Sequence, residues 1–136
     1  MARVIEEYLP PVKEDGLQTG KKFGYAAGTG STVTQQTNRT TAVTINQLCG
    51  AITTNNTSLA AEGSADFTVN NNLVEIGDVV VLSIRSGSNG GGTLVQVVTV
   101  AAGSFVIRVH NGNVAAGTAE TGAIIINFAV IKAVSA

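Results

Sequence analysis

The sequence of 136 residues has no tryptophan, one cysteine, one histidine and two prolines, and only 12% of its residues are charged. Because a single cysteine has no partner within the chain, an internal disulfide is excluded. Cys49 stands in QLCGAI between apolar residues, so we expect a small buried side chain rather than a reactive thiol. With only four Phe and two Tyr, the core must consist mainly of Val, Ile, Leu and Ala.

The charge pattern argues against several classes of function. The formal net charge is −1 and the eight Lys and Arg residues are scattered, whereas nucleic-acid binding needs a concentrated basic surface. One histidine, His110, and one cysteine do not make a metal site, and no cofactor is predicted. His110 precedes an Asn-Gly turn signal and is expected at a strand end on the surface. Four carboxylates are isolated in sequence, so acid–base catalysis needs a fold that pairs two of them: Asp66, Glu75, Asp78 and Glu120.

No segment has the pattern of a membrane span or a secretory signal. The N-terminal stretch MARVIEEYLPPVKEDG has two Glu by position 7 and lacks an apolar region. The most apolar stretch, residues 122–134, is too short to cross a bilayer and contains Asn127. We therefore expect synthesis in the cytoplasm, with no membrane partner. The Asn-x-Ser/Thr triplets are then not glycosylation sites.

The charges are concentrated at the N-terminus, which predicts two parts. Residues 1–22 hold eight of the seventeen charged residues and both prolines. We predict an extended N-terminal arm over residues 1–23 and a body over residues 24–136. A disordered tail and an arm that becomes ordered against a partner both remain open. The second is favoured by a partner-contacting set of apolar and proline residues: Val4, Ile5, Tyr8, Leu9, Pro10 and Pro11.

The body has the pattern of short β-strands separated by Gly, Asn and Ser. In SFVIRVH, Phe105, Ile107 and Val109 fall on one face, and ADFTVN alternates Phe67 and Val69 in the same way. Seven or eight such strands predict an all-β fold, an antiparallel two-sheet sandwich or jelly-roll-like body. The only helix candidate is a single turn in TSLAAEG, residues 57–63.

Two polar stretches are interpreted as hairpins. In VTQQTNRTTAVTI, residues 33–45, VTQQT predicts a first strand, Asn38-Arg39 a turn and TTAVTIN a second strand, with Val43 and Ile45 on one face. SGSNGGG, residues 86–92, is predicted to be a hairpin loop. GYAAGTG, residues 24–30, is expected to be a junction between arm and body. DGLQTGKK lacks both the spacing and the hydroxyl residue of a phosphate-binding loop.

Several sequence segments of the body resemble small virion structural proteins of tailed bacteriophages and their prophages. These segments are GYAAGTGSTVTQQTNRTTAVTINQLCGAIT (24–53), DVVVLSI (78–84), VAAGSF (100–105) and IIINFAVIKAV (124–134). The likeness covers about 110 residues and is moderately specific to the group. Cys49 and the charged arm are not part of the shared pattern, so the arm is where this protein's own attachment is expected.

The resemblance implies a non-enzymatic capsid decoration, or cement, protein on the outer surface of the virion. Its expected partners are the major capsid protein and further copies of itself, with a trimer favoured, after synthesis in a bacterial cytoplasm. The alternative is a tail-fibre or receptor-binding module that recognises host carbohydrate, for which only Phe23 and Tyr25 lie close together in sequence. A hydrolase on a β scaffold is the third and least favoured hypothesis.

Overall fold

The computed structural model describes residues 23–133 and the backbone of two short strands before them. These strands, β1 (Val12–Lys13) and β2 (Gly16–Leu17), pair antiparallel, with Val12 opposite Leu17 and Lys13 opposite Gly16. A short antiparallel hairpin therefore interrupts the predicted arm. The residues predicted to contact a partner, Val4 to Pro11, lie outside the described residues.

The body consists of eight strands in two four-stranded sheets. The strands are β3 (Ser31–Thr34), β4 (Val43–Thr44), β5 (Cys49–Thr53), β6 (Ser64–Asn70), β7 (Val79–Ser86), β8 (Thr93–Ala101), β9 (Ser104–Asn111) and β10 (Ile125–Ile131). The first sheet has the order β3-β5-β10-β7 and the second has the order β4-β6-β9-β8. The predicted all-β, two-sheet sandwich is confirmed.

Strand pairing is antiparallel except at one edge of each sheet. β3 pairs with β5 in parallel and β4 pairs with β6 in parallel. Consecutive strands β3 and β4 thus belong to different sheets, and the prediction that VTQQTNRTTAVTI forms a hairpin was wrong. The predicted turn at Asn38-Arg39 does form, with the Thr41 N–H donating to the Asn38 carbonyl oxygen at 3.2 Å. It does not join paired strands, however, and Gln35 and Arg39 are almost completely buried rather than exposed. The predicted alternation survives: Val43 and Ile45 are buried, while Thr44 is exposed.

SGSNGGG is not a hairpin loop, because β7 lies in the first sheet and β8 in the second. The segment crosses between sheets and passes very close to another part of the backbone. Gly87 has φ +89°, and a Cβ there would lie 2.0 Å from the carbonyl oxygen of Ala123. Glycine is therefore required at this position by both conformation and space. The hairpin in this region is instead β8–β9, which turns at Gly103 with φ +81°.

TSLAAEG forms no helical turn. Leu59 makes an isolated antiparallel bridge with Glu120, with both N–H···O distances at 2.9 Å. The chain then turns through residues 60–63, where Gly63 donates to the carbonyl oxygen of Ala60. A seven-residue stretch cannot sustain a helix against such pairing.

The core lies between the two sheets and is built from alternating residues. All four central strands contribute, and Phe105 of β9 packs against Phe128 of β10 with ring centroids 5.7 Å apart. Edge-to-face and tilted ring pairs of this kind add to the energy of burial. The fully buried apolar residues are Ile52, Val69, Phe105, Ile107, Val109, Ile124, Ile126 and Val130.

Cys49 differs from its prediction. It is only half-buried, because it begins β5 at the sheet's outer face, opposite Ala129 of β10. It is a free thiol.

The ring pair in the core allows a stability test. Phe105→Ala should lower the free energy of unfolding by about 3–5 kcal/mol, because it removes a fully buried ring and leaves a cavity. Leu94→Ala, an exposed position on the second sheet, should change it by less than about 0.5 kcal/mol. Urea denaturation of both variants measures this, and equal losses would contradict the assignment of the core.

Candidate partner interface

The two ends of the sandwich have different chemistry. At one end, the connections that follow β3, β5, β7 and β9 meet around buried polar side chains. At the other end, β10 finishes, β7 begins, and the chain enters the body from the arm. We call these the polar end and the arm end.

The outer face of the first sheet is apolar at the arm end. Val81 pairs with Ala129 and Val79 pairs with Ile131, so these side chains stand side by side on that face. Val79, Val81 and Ile131 are each about half exposed. An outward face normally carries polar residues in a sandwich, so this surface is unusual for a free monomer.

Phe23 and Tyr25 bring aromatic surface to the same place. The Tyr25 hydroxyl donates to the carbonyl oxygen of Val130, which fixes the chain entering the body against the end of β10. Phe23 is 78% exposed and Tyr25 is 43% exposed. Together these elements enclose an apolar groove of about 420 Å³, lined by Phe23, Gly24, Tyr25, Val81, Ala129, Ile131 and Lys132.

An ion-pair cluster holds the polar edge of the apolar groove. The Lys132 ammonium lies 2.6 Å from Asp78 and 3.0 Å from Glu75, and also donates to the carbonyl oxygen of Leu73. The hydrogen bond from Lys132 lowers the pKa of Asp78, and the same contact raises the pKa of Lys132. Asp78 is thus more than the turn residue that the sequence predicted, because it ties the end of β10 to the start of β7.

The apolar groove was not predicted from the sequence, although a signal exists. VVVL at the start of β7 is apolar at every position, whereas a strand with one solvent face alternates apolar and polar residues. FAVI in β10 has the same character. Two neighbouring strands with this pattern carry apolar side chains on both faces of the sheet.

The polar end is organised by Glu120, which is fully buried. Its carboxylate accepts hydrogen bonds from the hydroxyls of Ser88, at 2.6 Å, and Thr93. It also accepts from the backbone N–H of Gly122 at 2.7 Å, Asn89 at 3.2 Å and Gly90 at 3.3 Å. The carboxylate therefore holds the SGSNGGG crossover in place.

These contacts set the charge state of Glu120. Burial alone would raise its pKa, but the hydrogen bonds from hydroxyls and backbone amides outweigh burial and lower the pKa to about 2. A carboxylate that stays ionised and accepts several hydrogen bonds serves as an anchor rather than as a general acid or base.

Arg39 anchors the neighbouring connections at the same end. Its guanidinium donates to the backbone oxygens of Gly122 at 2.9 Å and Glu120 at 3.2 Å, and to the Thr57 carbonyl. It also reaches the Thr54 hydroxyl at 3.3 Å. Burial lowers the pKa of Arg39, and the nearby negative charge of Glu120 opposes this effect. We call the Arg39 and Glu120 contacts together the polar clasp.

The fold does not assemble the other candidate residues into a reactive site. Asp66 forms a bidentate pair with Arg108, with both N···O distances at 2.7 Å, on the outer face of the second sheet. His110 lies on the same face, with Nδ1 2.9 Å from the Ser64 hydroxyl, as expected for a strand-end residue. In residues 23–133, no three His, Cys, Asp or Glu side chains are grouped so that they could hold a metal ion.

Comparisons with known proteins give no relative. No family model, no curated protein and no solved structure matches the chain. Within the described part of the chain there is also no helix with the length and apolar character to span a membrane.

The low pKa of Glu120 predicts how stability depends on pH. Because the folded pKa of about 2 lies below the ordinary 4.5, the carboxylate contributes stability above about pH 4.5 and loses it as the pH falls through about 2. Glu120→Gln should lower the free energy of unfolding at pH 7 by about 1–3 kcal/mol, since an amide cannot accept all these bonds. It should also flatten the decline in stability between about pH 5 and pH 2.

Denaturation at several pH values measures both effects. The control is Glu62→Gln at an exposed turn position, which removes one negative charge without touching the polar clasp. An acid decline that is equally steep in Glu120→Gln and in the unmodified protein would contradict this account of Glu120.

Proposed function

We propose that the chain is a non-enzymatic capsid decoration protein of a tailed bacteriophage, and that it binds the outer surface of the head. The observation that carries the proposal is the exposed apolar groove beside the junction with the arm. Such a surface favours a protein partner over solvent. The identity of the partner, a major capsid protein, comes from the resemblance of the sequence phrases to virion proteins.

The proposed mechanism is a bridge between capsid subunits. Fully extended, 22 residues reach about 70–80 Å, and taking the six hairpin residues 12–17 out of that length leaves about 55 Å. A body of about 110 residues has a radius of gyration near 13 Å, so the arm extends past its own body. The body binds one subunit through the apolar groove, while Val4, Ile5, Tyr8, Leu9, Pro10 and Pro11 bind a neighbouring subunit or copy.

The strength of the bridge comes from repetition. A site of this kind needs a buried interface on the order of 1,000 Å². A trimer of decoration proteins at a three-fold position would bind through several such sites at once, which raises the overall affinity well above that of one site. Contacts that span two subunits must break before the subunits separate, so the bridged shell resists expansion.

Binding to undecorated heads tests the role of the apolar groove. Val81→Asp places a charge in the groove and should weaken binding by about tenfold or more, equivalent to 1.4 kcal/mol. Leu94→Asp is the matched control, because it replaces an exposed apolar residue on the opposite sheet and should leave binding unchanged. If Val81→Asp and the unmodified protein occupy heads equally, the apolar groove does not contact the capsid.

Deletion of residues 1–22 tests the arm. Among residues 23–133, the buried apolar core lies between Val43 and Val130, so the body should still fold, and head occupancy should fall sharply. Full occupancy without the arm would show that the arm is not an attachment element.

The copy number on intact particles distinguishes a head protein from a tail protein. Roughly one copy per major capsid subunit fits a decoration protein, and a few copies per particle fit a tail component.

A receptor-binding module is the second candidate function. The exposed pair Phe23 and Tyr25 beside Lys132 favours it, because carbohydrate sites commonly set aromatic rings next to polar groups. Binding of the full chain to host cells, abolished by Tyr25→Ala and independent of heads, would support this function over decoration.

A further inference from the structure

We propose that in the free protein the apolar groove is covered by the N-terminal segment of the same chain, residues 4–9, which the β1–β2 hairpin turns back onto it. This inference goes beyond the proposed function, and its test needs no capsid, so either can fail without the other.

The first argument is the exposure of the apolar groove. The groove contains an exposed phenylalanine and tyrosine, and half-exposed Val81 and Ile131. Large contiguous apolar patches are rare on soluble monomers, since they promote association. A volume of about 420 Å³ can receive a few apolar side chains.

The second argument is the position of the chain outside the described body. The body begins at Phe23, which itself lines the apolar groove, so the preceding residues leave from the groove's rim. Their sequence, VIEEYL over residues 4–9, supplies four apolar or aromatic side chains. The segment with suitable chemistry is therefore tethered next to the surface that needs a cover.

The third argument is the register of the hairpin. Because β1 and β2 are antiparallel, the chain before Val12 and the chain after Leu17 leave the hairpin in the same direction. By residue count, Ile5 lies as far from Val12 as Gly24 lies from Leu17, so the returning segment is long enough to reach the apolar groove.

The same geometry favours the chain's own segment over that of a second copy. Only residues 18–22 separate β2 from Phe23, and only residues 10 and 11 separate the proposed cover from β1. Closing a short loop within one chain costs little entropy, whereas exchange between copies must also overcome the loss of translational freedom.

Because the sequence contains no tryptophan, a single introduced tryptophan would be the only indole in the protein. In the full chain, Phe23→Trp places a single indole at the rim of the apolar groove, at a position exposed enough to accept a larger ring. The quantities to measure are the emission wavelength of this indole and its quenching by acrylamide. The substitution is then combined with Val4→Ser and Ile5→Ser, which remove the proposed cover and leave the body unchanged.

Loss of the cover should raise the quenching constant of Trp at position 23 by about twofold and shift its emission to the red, because the indole becomes exposed to water. The control adds Val114→Ser, which alters an exposed apolar residue of the β9–β10 connection and should change neither quantity. Equal quenching with and without the Val4 and Ile5 substitutions would overturn the proposal.

Two further measurements test the hairpin and the identity of the cover. Gly16→Pro removes a backbone N–H and restricts β2, so it should unmask the indole as the arm substitutions do. If acrylamide quenches the indole equally with and without Gly16→Pro, the hairpin does not bring residues 4–9 to the apolar groove. If the indole stays protected from acrylamide when the protein is diluted, the cover belongs to the same chain. If this protection disappears on dilution, the cover comes from a neighbouring copy and the proposal is overturned.

Discussion

The sandwich depends on the polar clasp at one end, where two buried charges hold backbone together. Strands that follow one another in sequence repeatedly lie in different sheets, so the chain must cross from one sheet to the other. Each crossing carries backbone N–H and C=O groups that lie outside any strand ladder and need partners. Arg39 supplies donors to the carbonyl groups, and Glu120 supplies acceptors to the amides and hydroxyls.

The polar clasp also explains why buried charge is tolerated here. A buried ion without partners is very unfavourable, whereas one whose hydrogen-bonding capacity is filled can be accommodated. In the described part of the chain, every buried side-chain nitrogen or oxygen atom has a hydrogen-bond partner. The close passage of Gly87 beside Ala123 belongs to the same arrangement, because the crossover that Glu120 holds must fit against residues 122–124.

The arm end, in contrast to the polar end, carries the exposed apolar groove. There Tyr25 and the Lys132 cluster hold the chain entry, the end of β10 and the start of β7 against one another. The apolar groove between them is therefore supported by rigid elements rather than by loops alone. A preformed surface loses less entropy on binding than one that must first become ordered, which suits the proposed role as a site for the arm or for a capsid subunit.

Local sequence patterns were sufficient to predict the β class and the core faces. Alternation in SFVIRVH and ADFTVN places Phe105, Ile107 and Phe67 correctly, because a strand's side chains alternate whatever its partner is. These local patterns did not predict which strands pair with one another. VTQQTNRTTAVTI and SGSNGGG have the composition of hairpins, yet each crosses between sheets, since a polar loop sequence does not specify which sheet receives the next strand.

The sequence by itself thus determined the strand pattern, the division between a charged N-terminus and an apolar body, and the residues available for the core. Only the tertiary structure decided that Arg39 and Glu120 are buried and that Val81, Ala129 and Ile131 form one surface with Phe23 and Tyr25. The physical reason is distance along the chain. These groups are separated by up to about a hundred residues, and their contacts exist only after both sheets have packed together.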